Sequence, residues 1–294
     1  ARGTSDCAAL YSSYIFAKYL GLPSYSMPPS IITLEKSKFN FSEALVIVIS
    51  QSGKSNDLIE CEKKSQEFGA ITMLISNNEN SPIINSANYF FNMFAGVEKS
   101  VAATKSFVQT LLILKKLVFI CQGKQKINDN IKLLSDMLLN DANNQWSIDL
   151  VDNSINSGFI LGRGVGFALS NEMSLKFKEL CQEMIEPFSS AEVMHGPKSL
   201  IQDTFKLFTL SMNDKSGLTV QNDSNEITKY TKLVYNISSA KDQSKNFYFP
   251  PNQITEFDSI VIMSKFYPWI VRYTQNKGLD PDKPRYLTKV TQTF

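Results

Sequence analysis

The chain of 294 residues is 43% hydrophobic and 20% charged, a globular composition rather than a disordered one. Its formal charge is only +2 at pH 7 and its lysines and arginines are scattered, which argues against a nucleic-acid partner. No apolar run reaches the length of a bilayer crossing, since Lys115 and Lys116 interrupt the nearest one at 111–120, so no membrane partner is expected either.

Four cysteines, Cys7, Cys61, Cys121 and Cys181, form no C-x-x-C pair. Reduced, mostly buried thiols are expected and, with no signal peptide in view, a cytoplasmic location. The chain starts at Ala1 on the turn Arg2-Gly3-Thr4-Ser5-Asp6. A turn of that kind ordinarily follows a strand, so a strand is expected ahead of it.

Residues 44–50 (ALVIVIS) are continuously apolar and rich in β-branched side chains, as a strand buried on both faces of a parallel sheet must be. Residues 56–68 have helical character, 70–76 (AITMLIS) and 89–94 read as strands, and 104–121 as a long apolar-periodic helix. Residues 124–145 read as an amphipathic helix running into a linker, with Ile131, Leu134, Leu138 and Leu139 at helical spacing. The pattern then restarts. A strand is expected at 158–161, a helix at 171–184, strands at 205–210 and 259–264, and a helix at 266–277 closed by Gly278. This alternation indicates an α/β fold.

Arg2-Gly3 recurs as Arg163-Gly164, and the segment 50–55 (SQSGKS) recurs as 211–216 (SMNDKS), both 161 positions later. Two matched offsets imply a duplication, giving two copies of one α/β unit over residues 1–145 and 146–294.

The segment 50–55 ends a strand and opens a helix, where free N–H groups favour an anion. The hydroxyls of Ser50, Ser52 and Ser55 and the amide of Gln51 add donors, while Gly53 lets the backbone come close. The set suits a phosphate monoester. The spacing of a nucleotide-binding P-loop is absent, and a plain helix cap is the alternative. In the second copy Asn213 and Asp214 replace Ser52 and Gly53. A carboxylate there repels phosphate, so one phosphate site per chain is expected. Gly3, Thr4 and Ser5 lie at another expected strand end and can join the same crevice, unless Ser5 or Asp6 merely caps a helix.

Glu172, Lys176 and Glu179 fall on one face of a helix. Alone they read as a surface ion-pair ladder. Turned to a cleft, such a carboxylate can move a proton between adjacent carbons and such a lysine can stabilise an oxyanion. His195, the only histidine, sits in the loop AEVMHGP (191–197) and suits proton transfer, though a lone loop histidine is commonly incidental. One histidine and dispersed cysteines make no zinc set. The tail at 278–291 is stiffened by Pro281 and Pro284 and carries Lys289. It can fold over a cleft or pack as an ordinary end.

Taken in order, RGTSD (2–6), SQSG (50–53), EKSVAATKSF (98–107), EMSLKFKE (172–179), AEVMHGP (191–197) and the tail 278–291 make the chain resemble the sugar isomerase (SIS) domain family over nearly its whole length. Within that family it is similar to SIS-type glucosamine-6-phosphate deaminases and to the isomerase half of glucosamine-6-phosphate synthase. The resemblance implies two tandem SIS domains of three-layer, flavodoxin-like form. It also implies a phosphorylated amino sugar as substrate and a homodimer whose site is completed by the partner subunit. It places the phosphate on Ser50, Gln51, Ser52 and Ser55, with Gly3, Thr4, Ser5 and Ala103 nearby. It makes Glu179 the base that shuttles the C1–C2 proton, Lys176 the support of the intermediate and Glu172 a neighbour in the same cleft. It makes His195 the ring opener, reaching into the partner's site, and gives Lys289 a contact to the open-chain sugar. No metal or organic cofactor is implied.

The chain departs from its relatives at Ala103, where some carry a hydroxyl residue. It shows no glutaminase segment with an N-terminal cysteine nucleophile, and its GLDPD and AEVMHGP segments look more like those of deaminases. The expected activity is conversion of glucosamine 6-phosphate to fructose 6-phosphate and ammonia through an enediol-type intermediate. The alternatives are the isomerase part of a synthase, a non-catalytic phosphosugar-binding protein and an inactive remnant.

Overall fold

The computed structural model describes residues 1–124, 126–152, 154–240, 246–251 and 255–289. By its contacts the chain divides into two units, Ala1–Val118 with the tail from Tyr286, and Phe119–Arg285.

In the first unit, helix α1 (Thr4–Leu20) and the single turn α2 (Ser30–Thr33) precede a parallel sheet of three strands. These are β1 (Leu45–Ser50), β2 (Ile71–Ser76) and β3 (Tyr89–Asn92), in that order. Val48 and Leu74 pack with Ile83 and with Leu58 of α3 (Asn56–Glu67) on one face. Ile49 and Ile75, which point the other way, are buried as deeply, which is why these runs carry no polar alternation. Helix α1 stops at Gly21, whose left-handed φ of 69° lets Gly21 N and Leu22 N close on the carbonyls of Ala17 and Phe16. Helix α4 (Lys105–Cys121) carries the chain onward.

The second unit begins with α5 (Ile127–Asp141) and holds five parallel strands in the order β5-β4-β6-β7-β8. They span Ser157–Gly162 (β4), Met184–Ser189 (β5), Lys206–Ser211 (β6), Val234–Ser238 (β7) and Asn246–Tyr248 (β8). One face packs Phe159, Leu161 and Leu207 against Val193 of α7 (Ser190–Val193) and Val220 and Ile227 of α8 (Lys215–Ile227). The other is aromatic: Phe208 lies 5.1 Å from Phe177, and Phe247 5.1 Å from Trp269. Phe177 follows α6 (Val165–Lys176), and Trp269 belongs to α9 (Asp258–Asn276). The repeated Arg-Gly turn has one backbone shape in both places: Gly3 has φ 53° and ψ −130°, Gly164 φ 58° and ψ −127°, and each opens a helix.

The structure corrects several expectations. Residues 259–264 are not a strand but lie inside α9. Ile260, Val261, Ile262 and Met263 are all buried there, and a helix apolar all round has the pattern of a buried strand. The helix expected over 171–184 starts earlier, at Val165, passes into one π turn (Phe177–Cys181) and stops at Gln182, which has φ 55°. Met184 therefore opens β5. That strand contains Glu186 and Pro187 and lies at the sheet edge, where a missing N–H breaks no ladder. Its polar and proline content hides it from the apolar pattern; α8, β7 and β8 also lie outside the expected set. The contact units meet at Val118–Phe119, within α4. Lys265 of α9 donates to Asp141 Oδ2 (2.6 Å) and to Asn144 O (2.5 Å), which ties the end of α5 into the second unit. Among the described residues no helix is long and apolar enough to cross a membrane.

Candidate active site

In the first unit β1 delivers Ser50, and the chain turns through residues 51–55 into α3. Ser50 Oγ accepts from Gly53 N at 3.1 Å and Ser52 Oγ from Lys54 N at 3.3 Å. Gly53 has φ 60°, and a Cβ added there would run into the Ser81 side chain, so the turn requires glycine. The loop rests on the carboxyl end of β2. Asn78 Nδ2 donates to Ser52 O (2.7 Å), Ser81 Oγ to Gly53 O (2.8 Å) and Ser76 Oγ to Gln51 O (3.5 Å). Ser55 caps α3 without a side-chain bond among the described residues. Its counterpart in the second unit is closed, because Asp214 Oδ1 accepts from Gly217 N at 2.9 Å. That carboxylate already occupies the positive start of α8, the place an external anion would take.

Gly3, Thr4 and Ser5 form the start of α1. Arg2 binds Asp57 in the first turn of α3 through Nε (2.9 Å) and Nη2 (2.8 Å), joining the two helix starts. Ala103 is half-buried in the loop between β3 and α4. In that loop Glu98 folds back on α4: Oε1 accepts from Thr104 N (3.0 Å) and Ser106 N (3.1 Å), and Oε2 from Ser106 Oγ (2.7 Å). Burial works to raise the Glu98 pKa, but these donors and the Lys289 charge outweigh it and hold the carboxyl below its usual range. Lys289 Nζ donates to Ser100 O at 2.7 Å. The expected tail extends to Val290 and Thr291, which lie outside the described residues.

The second unit resolves the reading of the charged helix face. Lys176 Nζ lies 3.2 Å from Glu172 Oε1 and 2.7 Å from Glu179 Oε2, and the three side chains are 0%, 0% and 22% exposed in the order Lys176, Glu172, Glu179. A surface ladder is excluded. Tyr267 of α9 donates to Glu172 Oε1 at 2.8 Å, while Glu172 Oε2 has no hydrogen-bond partner among the described residues. Burial pushes the Glu172 carboxyl above its usual range, against the pull of Lys176 and Tyr267. Burial also works to lower Lys176, but Glu172 and Glu179 outweigh it and keep the ammonium charged. Glu179, in the π turn, is the one member with appreciable exposure. Such a cluster can hold a fixed positive charge beside a carboxylate that is open to a ligand.

The SIS domain model matches residues 1–119. Those residues are a SIS domain. Across 98% of its length the chain is 30% identical to the glutamine–fructose-6-phosphate aminotransferase [isomerizing] of Sulfolobus acidocaldarius, covering 48% of that protein. It spans about half the length of the curated relatives it matches. A structure from Silicibacter pomeroyi DSS-3, assigned as a phosphosugar isomerase, is similar with a TM-score of 0.86 at 29% identity, over 96% of this chain and 86% of that one. The glucosamine-6-phosphate deaminase of Thermotoga maritima gives a TM-score of 0.78 at 19% identity over 99% and 88% of the two chains, a likeness of fold alone.

The first unit thus holds the serine loop, the α1 start, Ala103 and Lys289, and the Glu172–Lys176–Glu179 cluster lies in the second. His195 is exposed just after α7, and among the described residues no hydrogen bond joins its side chain to the cluster. Arg2, Asn78, Ser81, Glu98 and Tyr267 are the participants that sequence reasoning missed. All but Glu98 act through a partner more than twenty positions away, as Tyr267 does on Glu172, and residue spacing carries no sign of that. Arg2 and Glu98 do stand within the segments RGTSD and EKSVAATKSF that carry the resemblance, without a role assigned to them there.

Proposed function

We propose that this chain is a phosphosugar enzyme that interconverts aldose and ketose forms at C1–C2, acting on glucosamine 6-phosphate to give fructose 6-phosphate and ammonia. The observation that carries the reading is the buried Lys176 held between two carboxylates, of which only Glu179 has appreciable exposure. In this reading both units are SIS domains. The serine loop of the first, with Ser50, Gln51, Ser52 and Ser55, takes the phosphate, and Gly3, Thr4, Ser5 and Ala103 border it. Lys289 contacts the open-chain sugar. His195, supplied across a homodimer, opens the ring.

Glu179 then takes the proton from C2 of the open-chain amino aldehyde and returns it to C1. The electron pair passes through an enolamine whose developing oxyanion faces the Lys176 ammonium. The resulting C2 imine is hydrolysed to the ketone with loss of ammonia. No step calls for a metal or organic cofactor, since the substrate's own carbonyl acidifies the neighbouring C–H.

A second reading, the isomerase half of a glutamine-dependent synthase, is favoured by the 30% identity to the aminotransferase over 98% of the chain. It shares every step except the source and fate of the amine. A coupled ammonia-release assay with glucosamine 6-phosphate separates the two. The deaminase reading expects ammonia from the chain alone, and isomerisation without ammonia release supports the second. Glu179→Gln is expected to abolish turnover in either case, while the Kd for fructose 6-phosphate stays within a few-fold. An equal loss of binding contradicts its role as base.

A further inference from the structure

The loop joining β3 to α4 is fastened at three points. Lys105 Nζ donates to Val97 O (3.0 Å), Lys289 Nζ donates to Ser100 O (2.7 Å), and the Glu98 carboxylate accepts four bonds from Thr104 and Ser106 at the start of α4. Glu98 differs from the other two in kind. A neutral side chain of the same shape could keep some of its bonds, so geometry alone does not require a charge. Two things there reward one. The carboxylate sits at the positive end of a 17-residue helix, and the Lys289 ammonium lies close enough to favour its ionised form. Lys289 itself is held by Ser100 O, within the loop that Glu98 fastens to α4.

We propose that Glu98 is a positioning residue for sugar recognition: by fastening the loop 99–103 to the start of α4 it fixes Ser100, and through Ser100 O it fixes Lys289, while taking no part in phosphate binding. The inference rests on the role given above to Lys289, and it adds a residue whose hydrogen bonds run to Thr104 and Ser106. Its consequence is a division of labour inside the SIS domain. The serine loop reads the phosphate, and a charge-fastened loop reads the sugar chain.

The test is a double-mutant cycle between Glu98→Gln and Lys289→Met, read by calorimetric binding of two unreactive probes, inorganic phosphate and glucitol 6-phosphate, an open-chain phosphorylated alditol. Either single variant is expected to weaken glucitol 6-phosphate about ten-fold and to leave inorganic phosphate within about two-fold. The double variant should bind no more weakly than Lys289→Met alone, because Glu98 acts through that side chain. Additive losses, equal losses for both probes, or no binding of glucitol 6-phosphate to the parent chain would each overturn the proposal. Thermal melts of all four proteins separate general unfolding from loss of positioning. Turnover is not needed for the readout. A parent chain that binds both probes but forms no product contradicts the proposed reaction while leaving the role of Glu98 standing.

Discussion

At the scale of single residues the second unit concentrates charge where water does not reach. Lys176 and Glu172 are fully buried and bonded to one another, and removing Lys176 would leave two carboxylates facing one another without their shared cation. Asp258, at the start of α9, is a second such residue. Its Oδ2 accepts from Asn213 N (3.2 Å) and Asn213 Nδ2 (2.9 Å), but Oδ1 has no partner among the described residues. Burial raises its pKa from 3.8 to about 6, with Asp214 and Glu256 adding to the rise against the pull of Asn213. The folded chain therefore holds this proton more tightly than the unfolded chain does. Its contribution to stability grows as pH falls from about 6 to 3.8 and is lost as pH rises through the same window. Asp258→Asn keeps an acceptor for Asn213 and removes the buried charge. It is expected to stabilise the chain by about 1–3 kcal/mol at pH 7.5 and to flatten the pH 4–6 slope of urea melts. A variant less stable than the parent at pH 7.5, with the slope retained, would contradict this account.

At the scale of elements, the ends of strands and helices do the functional work. The turn after β1 depends on one backbone conformation, Gly53 at φ 60°, pressed against Ser81 from the neighbouring strand end. Gly53→Ala is expected to cost about 1–3 kcal/mol in stability and to abolish phosphate binding followed by 31P NMR. Lys54→Ala, on an exposed side chain in the same loop, should change neither. Equal binding by Gly53→Ala and the parent would show that the loop is not the phosphate site. The sequence made this element legible because strand, glycine and hydroxyls are adjacent in the chain. The same locality made the Glu172–Lys176–Glu179 face visible, but not its burial. That burial depends on α9 supplying Tyr267, 95 positions from Glu172. Helix α9 itself was unreadable in part, because Ile260 to Met263 are buried on every side and such a run has neither helical nor strand periodicity.

At the scale of the whole molecule, the duplication inferred from two short matches has a backbone counterpart in the equal turns at Gly3 and Gly164. After the SQSG loop, Ser55 leaves the α3 start without a side-chain cap among the described residues and Asp57 Oδ1 accepts from Leu58 N in the first turn, whereas α8 is capped by Asp214. Composition and periodicity revealed the α/β class and most of the strands. They did not reveal that Lys265 reaches Asp141, since the two are 124 positions apart. The proposed chemistry assigns anion binding to the first unit and proton transfer to the second, and the chain as a whole is the object to test. The most direct measurement is NMR of fructose 6-phosphate incubated with the chain in deuterium oxide. The account predicts that solvent deuterium enters at C1 with the parent chain and that Glu179→Gln, while still binding the sugar, stops the exchange. Undiminished exchange in that variant, or a parent chain that binds fructose 6-phosphate and never labels it, would contradict the assignment of Glu179 as the base.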